Sequence, residues 1–318
     1  MIQQSSANSE ATADEKKHSG PQRIKKLAFL GLGVMGYPMA GHLAKAGYEV
    51  TVYNRSPEKS ARWVQEHQGS RAETPALAAR GADAILLCVG NDDDVREVLV
   101  GQHGAMQQLS PNALVIDHTT ASATVAQEMA RSAVERGGAF IDAPVSGGQA
   151  GAENGVLSIM CGGAEADFER ALPLLQCYGK TVELMGPTGT GQLSKMVNQI
   201  CIAGLVQGLS EALAFGERAQ LDMQKVLKVI SQGAAGSWQL SNRGHTMIER
   251  SFDFGFAVDW MRKDLQLALE EASKNGALLP VTALVDQFYA EVQQMGGNRW
   301  DTSSLIQRLG VRPPSSSD

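Results

Sequence analysis

The sequence predicts an α/β fold: a doubly wound parallel sheet, then an all-α domain that a long helix joins to it. Three observations carry the prediction. From Lys25 to about Gly186, short β-branched or aliphatic runs alternate with Ala-rich, polar-faced segments, the pattern of strands and crossover helices stacked on a parallel sheet. A glycine triplet, G-x-G-x-x-G at Gly31, Gly33 and Gly36, directly follows the first such run. After "GPTGTG" (Gly186 to Gly191), apolar residues recur at helical spacing through Met196, Ile200, Ala203 and Val206, with no proline until Pro280.

Taken in order, residues 1–24 are polar and mixed in charge, with no apolar segment of the kind a signal peptide needs and too many acids for a transit peptide, so a disordered tail is expected. Strands are expected at Leu27–Leu30, Val50–Tyr53, Ala84–Val89, Leu114–Asp117 and Phe140–Asp142. Two more runs, Leu157–Cys161 and Thr181–Leu184, lie beyond a glycine-rich loop and extend the sheet on one edge. Met39, Ala40, Leu43 and Ala44 share one face of the helix after the first strand. These elements form a domain over 25–187. A long helix opens near Thr190, and Gln224–Ser231, Asp259–Ser273 and Leu284–Gln294 also read as helices in a domain over 188–311. The closing "RPPSSSD" is a second tail, 312–318.

The 318 residues are 43% hydrophobic and 19% charged, which suits a folded chain of two domains. A net charge of -6 gives no basic excess to draw the chain to a polyanion, so nucleic-acid binding is not expected. No apolar run approaches the roughly 18 to 20 residues that span a bilayer, and a soluble protein with no membrane partner is expected. Cys88, Cys161, Cys177 and Cys201 lack C-x-x-C spacing and histidine partners, which fits reduced thiols in the cytoplasm rather than disulfides or a metal site.

A G-x-G-x-x-G match means little in a chain with 34 glycines, but this one closes a strand and opens a helix. In that setting Gly31 permits the tight turn, Gly33 lets the backbone approach a pyrophosphate and Gly36 allows close packing of helix on strand, as in a Rossmann-type domain. Gly31, Leu32, Gly33, Val34, Met35 and Gly36 are thus the expected cradle, with the helix N-terminus supplying free N–H groups and a positive dipole end. The second strand ends in "EVTVYNRS". An Asp or Glu there would accept bonds from the adenosine ribose hydroxyls. Neutral Asn54, cationic Arg55 and hydroxyl-bearing Ser56 instead remove the repulsion and add a donor fork for a 2′-phosphate. NADP is the expected cofactor, with NAD as the alternative.

Two further glycine clusters follow. "DAPVSGGQAGAENGVLSIMCGG" (Asp142 to Gly163) contains Ser146-Gly147-Gly148, either a carboxylate-binding nest or an ordinary turn. In "GTGQLSKMVNQ", Lys195, Asn198, Gln199 and Ile202 fall on one helix face. A cation and two amides there are costly to bury unpaired, so that face is expected to line a polar cleft, against the alternative of a solvated lysine.

With these motifs in place, the chain resembles the β-hydroxyacid dehydrogenase family, which includes 3-hydroxyisobutyrate dehydrogenase, tartronate semialdehyde reductase and glyoxylate/succinic semialdehyde reductase. "GLGVMGYPMAGHL", the Asp142–Gly163 stretch, "GTGQLSKMVNQ" and "MRKDLQLAL" are similar, in order, to the family's cofactor, substrate-loop, catalytic-lysine and late K-D-L signatures. The resemblance covers Leu27 to about Leu309. It implies that Lys195 is the catalytic acid/base. It implies that Ser122, Ser146, Gly147 and Gly148 hold the substrate with Asn198 and Gln199, and that Val89, Gly90, Thr120 and Lys263 contact the cofactor. It further implies a small β-hydroxy acid or semialdehyde as substrate and a homodimer or homotetramer built through the helical domain. Gln199 stands where many members have a second Asn, Ala123 replaces a common Pro, and His118 and Thr119 replace a commoner Met and Ser; these departures bear on the substrate. An imine reductase-like enzyme and a non-catalytic nucleotide-binding scaffold are the alternatives, and the retained Lys195 weighs against both.

Overall fold

The computed structural model describes residues 24–310. The tails expected at 1–24 and 312–318 fall outside the described residues, Ile24 apart. Strands β1 (Lys26–Leu30), β2 (Glu49–Tyr53), β3 (Ser70–Arg71), β4 (Ala84–Leu87), β5 (Leu114–Asp117) and β6 (Ala139–Asp142) pair in parallel in the order β3-β2-β1-β4-β5-β6. This is the doubly wound order in which the chain reverses direction between β1 and β4, leaving a crevice at their carboxyl ends. Beyond β6 the sheet continues through β8 (Leu157–Gly162), which meets β6 antiparallel and pairs with both β7 (Val145–Ser146) and β9 (Gly179–Gly186).

Alternate residues along the strands face opposite layers. Leu27, Phe29, Val50, Val52, Leu86 and Ile116 pack against Met39, Ala40 and Leu43 of α1 (Gly36–Lys45) and Trp63 of α2 (Pro57–Glu66). On the other face Ala28, Leu30, Ile85, Leu87 and Val115 meet α3 (Pro75–Ala79), α4 (Asp92–Val100) and α5 (Ala123–Glu135). Strands buried on both faces read as continuous apolar runs, which is why β4 and β5 were visible as such. Two short helices, α6 (Gly148–Glu153) and α7 (Glu165–Leu175), flank β8.

The second domain is all helical: α8 (Thr190–Arg218), α9 (Met223–Ile230), α10 (Trp238–Ile248), α11 (Val258–Asn275) and α12 (Pro280–Gln294), closed by a 3₁₀ segment, Thr302–Leu309. Ala203 and Val206 of α8 pack with Met261 and Leu265 of α11 and with Val285, Tyr289 and Val292 of α12.

Several elements differ from expectation. The fourth strand stops at Leu87, not Val89, because the Val89 N–H leaves the ladder and donates to Thr119 Oγ1 at 3.1 Å. Strands β3 and β7, two residues each, have too little pattern to read. Helix α10 falls within the expected all-α region but has no bounds in the sequence reading; Ser237 caps it by accepting from the Leu240 N–H at 3.0 Å. Helix α12 starts at Pro280, where a proline's fixed φ suits the first turn, rather than at Leu284. Helix α8 is long and apolar enough by composition to cross a membrane, with a mean hydropathy of 1.3 over its most apolar window. No uninterrupted apolar run exists there, but small residues carry the average; half of that window is buried inside the protein.

Candidate active site

The glycine turn after β1 has the geometry its spacing demands. Gly31 lies at φ 98°, and a Cβ there would fall 2.3 Å from the Cys88 carbonyl oxygen; one on Gly36 would fall 2.0 Å from the Gly31 oxygen. Around Gly33 nothing lies within 4 Å of a Cβ, leaving open space against the backbone where a pyrophosphate would fit. Leu32 is buried, Met35 packs on the core and Val34 is exposed, so the cradle is formed by backbone rather than by these side chains.

Asn54 helps to hold that turn. Its Oδ1 accepts from the Leu32 N–H at 2.8 Å and its Nδ2 donates to the Ser56 carbonyl at 3.0 Å. Ser56 stands just before α2 without capping it through its side chain. Arg55 projects outward, 87% exposed, and its Nη1 lies 3.3 Å from Oδ1 of Asp94 on α4.

The opposite wall comes from the ends of β4 and β5. The Lys263 ammonium, from α11, donates to the carbonyls of Gly90 (3.1 Å) and Thr120, tying the helical domain to both loops. Ser122 is already used: its hydroxyl donates to Asp92 Oδ2 at 2.5 Å and accepts from the Val125 N–H at 3.0 Å, capping α5. The structure therefore gives Ser122 a role in joining α4 to α5.

Lys195 is positioned by the start of α8. The buried Asp142 carboxylate, at the end of β6, accepts from the N–H groups of Gly189 (2.7 Å) and Gln192 (2.9 Å), anchoring the helix to the sheet. Burial pushes Asp142 up to about 6 against the pull of these donors. Gln192 then bridges to the Thr120 loop, its Oε1 accepting from Ala121 N–H and its Nε2 donating to the Thr119 carbonyl. One turn on, Lys195 is 7% exposed. Burial lowers its ammonium to about 8, with Asp264 opposing the shift and Lys263 adding to it.

From there a continuous chain of contacts runs between the two glycine loops. Ser146 Oγ donates to Asn198 Oδ1 at 3.3 Å, Asn198 Nδ2 to Gln199 Oε1 at 2.7 Å, and Gln199 Nε2 to Asp264 Oδ2 at 2.7 Å. The other Asp264 oxygen lies 3.1 Å from the Lys263 ammonium. Gly147 and Gly148, both at positive φ, turn the chain from Ser146 into α6. The face expected to line a cleft is thus divided. Lys195 and Gln199 are buried, Asn198 is half-buried, and Ile202 joins the apolar core because the helix runs on into the domain interior.

His118 supports the same loop. Its Nδ1–H donates to the Ala143 carbonyl at 2.7 Å, which leaves Nε2 to accept from the Tyr178 hydroxyl at 2.8 Å. Burial holds the ring down to about 4, so it is neutral. Asp142, Asp264, Gln192, Asp92 and Asp94 were not singled out by sequence. Asp264 stood inside the quoted "MRKDLQLAL", but only the packing of α11 on α8 shows what it faces.

Two family models account for nearly all the described residues. The NAD binding domain of 6-phosphogluconate dehydrogenase matches residues 26–186, and the NAD-binding domain of NADP-dependent 3-hydroxyisobutyrate dehydrogenase matches 189–309. An uncharacterized oxidoreductase of Shewanella frigidimarina (strain NCIMB 400) is 59% identical over 286 residues, 90% of this chain and 98% of its own. The 2-hydroxy-3-oxopropionate reductase of Escherichia coli (strain K12) is 38% identical over 284 residues, 89% of this chain and 97% of its own. A solved structure of Mycobacterium tuberculosis 3-hydroxyisobutyrate dehydrogenase with L-serine superposes with a TM-score of 0.80 at 28% identity, covering 91% of this chain and all of that one. With a nicotinamide-cofactor fold in the first domain and a hydroxy-acid dehydrogenase domain in the second, the chain belongs to the β-hydroxyacid dehydrogenase family of NAD(P)-dependent, 3-hydroxyisobutyrate dehydrogenase-like oxidoreductases.

Proposed function

We propose that this protein interconverts a small β-hydroxy acid and its semialdehyde or keto acid by hydride transfer, with NADP preferred over NAD and Lys195 as the general acid/base. The observation that carries the reading is a buried lysine, lowered to about 8, on the helix that also presents Asn198 to Ser146 and ties it through Gln199 to Asp264. The fit of the cofactor rests on the open backbone at Gly33 and the donor fork of Arg55. The bound nicotinamide supplies an acceptor for hydride, taken from the carbon that bears the hydroxyl.

For oxidation, neutral Lys195 accepts the hydroxyl proton at Nζ as the carbon–oxygen bond becomes a carbonyl. For reduction, the ammonium gives that proton to the developing alkoxide. Lowering the lysine toward neutral pH puts both forms within reach. Ser146 and the backbone at Gly147 and Gly148 orient the carboxylate, with Asn198 beside them, so that selection of substrate comes mainly from position. Exposed Val197 and Phe215 on α8 and Val281 and Leu284 on α12 offer an apolar face for a homodimer or homotetramer. The cytoplasm, where its thiols stay reduced, is the proposed location.

The test is a panel of 3-hydroxyisobutyrate, L-serine, glycerate and γ-hydroxybutyrate with NADP and NAD, together with semialdehydes in the reverse direction. Lys195→Ala is expected to keep cofactor binding and lose turnover by orders of magnitude on whichever substrate is used; near-native turnover would refute the role.

A further inference from the structure

The first turn of α4 carries three consecutive acids, Asp92, Asp93 and Asp94, and the structure gives each a different neighbour. Asp92 takes the N–H and hydroxyl of Ser122, Asp93 reaches Arg96, and Asp94 reaches across the crevice to Arg55. Asp94 is itself fixed. Its backbone N–H donates to the Asn91 side chain at 2.9 Å, and its Oδ2 lies where a Cβ on Gly90 would be only 2.5 Å away. Its carboxylate therefore stands between the loop after β4 and the guanidinium at the end of β2.

That is the place where the adenosine ribose of a dinucleotide meets a doubly wound domain, and where an acid at the end of β2 would usually face the ribose hydroxyls. Here the β2 position is Asn54, whose amide bonds Leu32 and Ser56 and carries no charge. The carboxylate nearest Arg55 comes instead from Asp94 of α4.

We infer that Asp94 is a specificity-determining residue that opposes Arg55. It pairs with the guanidinium when no 2′-phosphate is present, and it accepts a hydrogen bond from the free 2′-hydroxyl of NAD. A 2′-phosphate must draw Arg55 away from this carboxylate and sit beside its negative charge. The inference rests on the reading of Arg55 as the 2′-phosphate ligand. Because Arg55 is 87% exposed, solvent screens the pair and the opposition is modest.

The experiment measures the dissociation constants of NADP and of NAD, by calorimetric titration without substrate, for the full-length protein and for Asp94→Asn, Arg55→Ala and the double variant. Asp94→Asn keeps the size of the side chain, and Asp92 and Asp93 still serve the helix N-terminus. It is expected to lower the dissociation constant for NADP by about two- to fivefold and to raise that for NAD. In the Arg55→Ala background the gain for NADP should shrink, since the competing pair is gone. An Arg55→Ala variant that loses NADP selectively, with an Asp94→Asn variant whose NADP/NAD ratio equals that of the unaltered enzyme, overturns the role of Asp94 alone. An Arg55→Ala variant that weakens both cofactors equally overturns the 2′-phosphate reading, and this inference with it.

Discussion

Two cations, Lys195 and Arg55, are held in opposite ways. Lys195 is 7% exposed, on a helix whose start is bonded to the sheet through Asp142 and to the Thr120 loop through Gln192. Arg55 is 87% exposed and touches one carboxylate. Burial shifts Lys195 to about 8, because removing a charge from water costs far more than a surface ion pair returns. On the proposed reading, chemistry at Lys195 is therefore fixed by the fold, while selection at Arg55 is a small balance that one substitution can tilt.

The comparison can be broken from its rigid end first. Lys195→Met is expected to stabilise the protein below pH 8 by on the order of 2–3 kcal/mol, since the folded state no longer holds an ammonium whose pKa it depresses. The sign follows from the proton balance. Below about 8 both folded and unfolded lysine are charged and the folded state bears the whole cost. Between about 8 and the ordinary value of 10.5 only the unfolded lysine is charged, so the stability of the unaltered protein rises with pH and the advantage of the variant fades. Chemical denaturation at pH 7 and pH 10 checks both parts; an equal difference at the two values would count against it.

A smaller effect, of opposite sign, is expected from Asp142→Asn. The amide retains one acceptor and turns its Nδ2 donor against an N–H at the start of α8, costing about 1–2 kcal/mol in unfolding free energy. An unchanged denaturation midpoint would show that α8 does not depend on this anchor. Smallest are the changes at Arg55 and Asp94, where solvent screening limits the effect to the few-fold shifts described above.

What the sequence shows and what it hides divide along the same line. Strands β1, β4 and β5 announce themselves because apolar burial on both faces leaves uninterrupted aliphatic runs, β2 shows an alternating pattern, and the triplet at Gly31 is legible because strand and helix flank it. Strands β3 and β7 are too short to have a period, and α10 is marked mainly by its Ser237 cap. In the site, Lys195, Asn198 and Gln199 share a helix face, and spacing is enough to group them. Nothing in the spacing places Asp264 against Gln199, Asp142 against the start of α8 or Asp94 against Arg55, contacts made by packing of residues 39 to 65 apart in sequence. Asn54 and Ser122 show the converse: both are read from sequence as facing a ligand, and both have side chains bonded within the protein.

The most direct test of the central claim is the pH dependence of kcat/KM for alcohol oxidation at saturating NADP, in the unaltered enzyme and in Lys195→Ala. With Lys195 as base, the rate rises through a single limb near pH 8 and the residual turnover of the variant lacks that limb. A limb that persists unchanged in Lys195→Ala would assign the proton to another group and contradict the account.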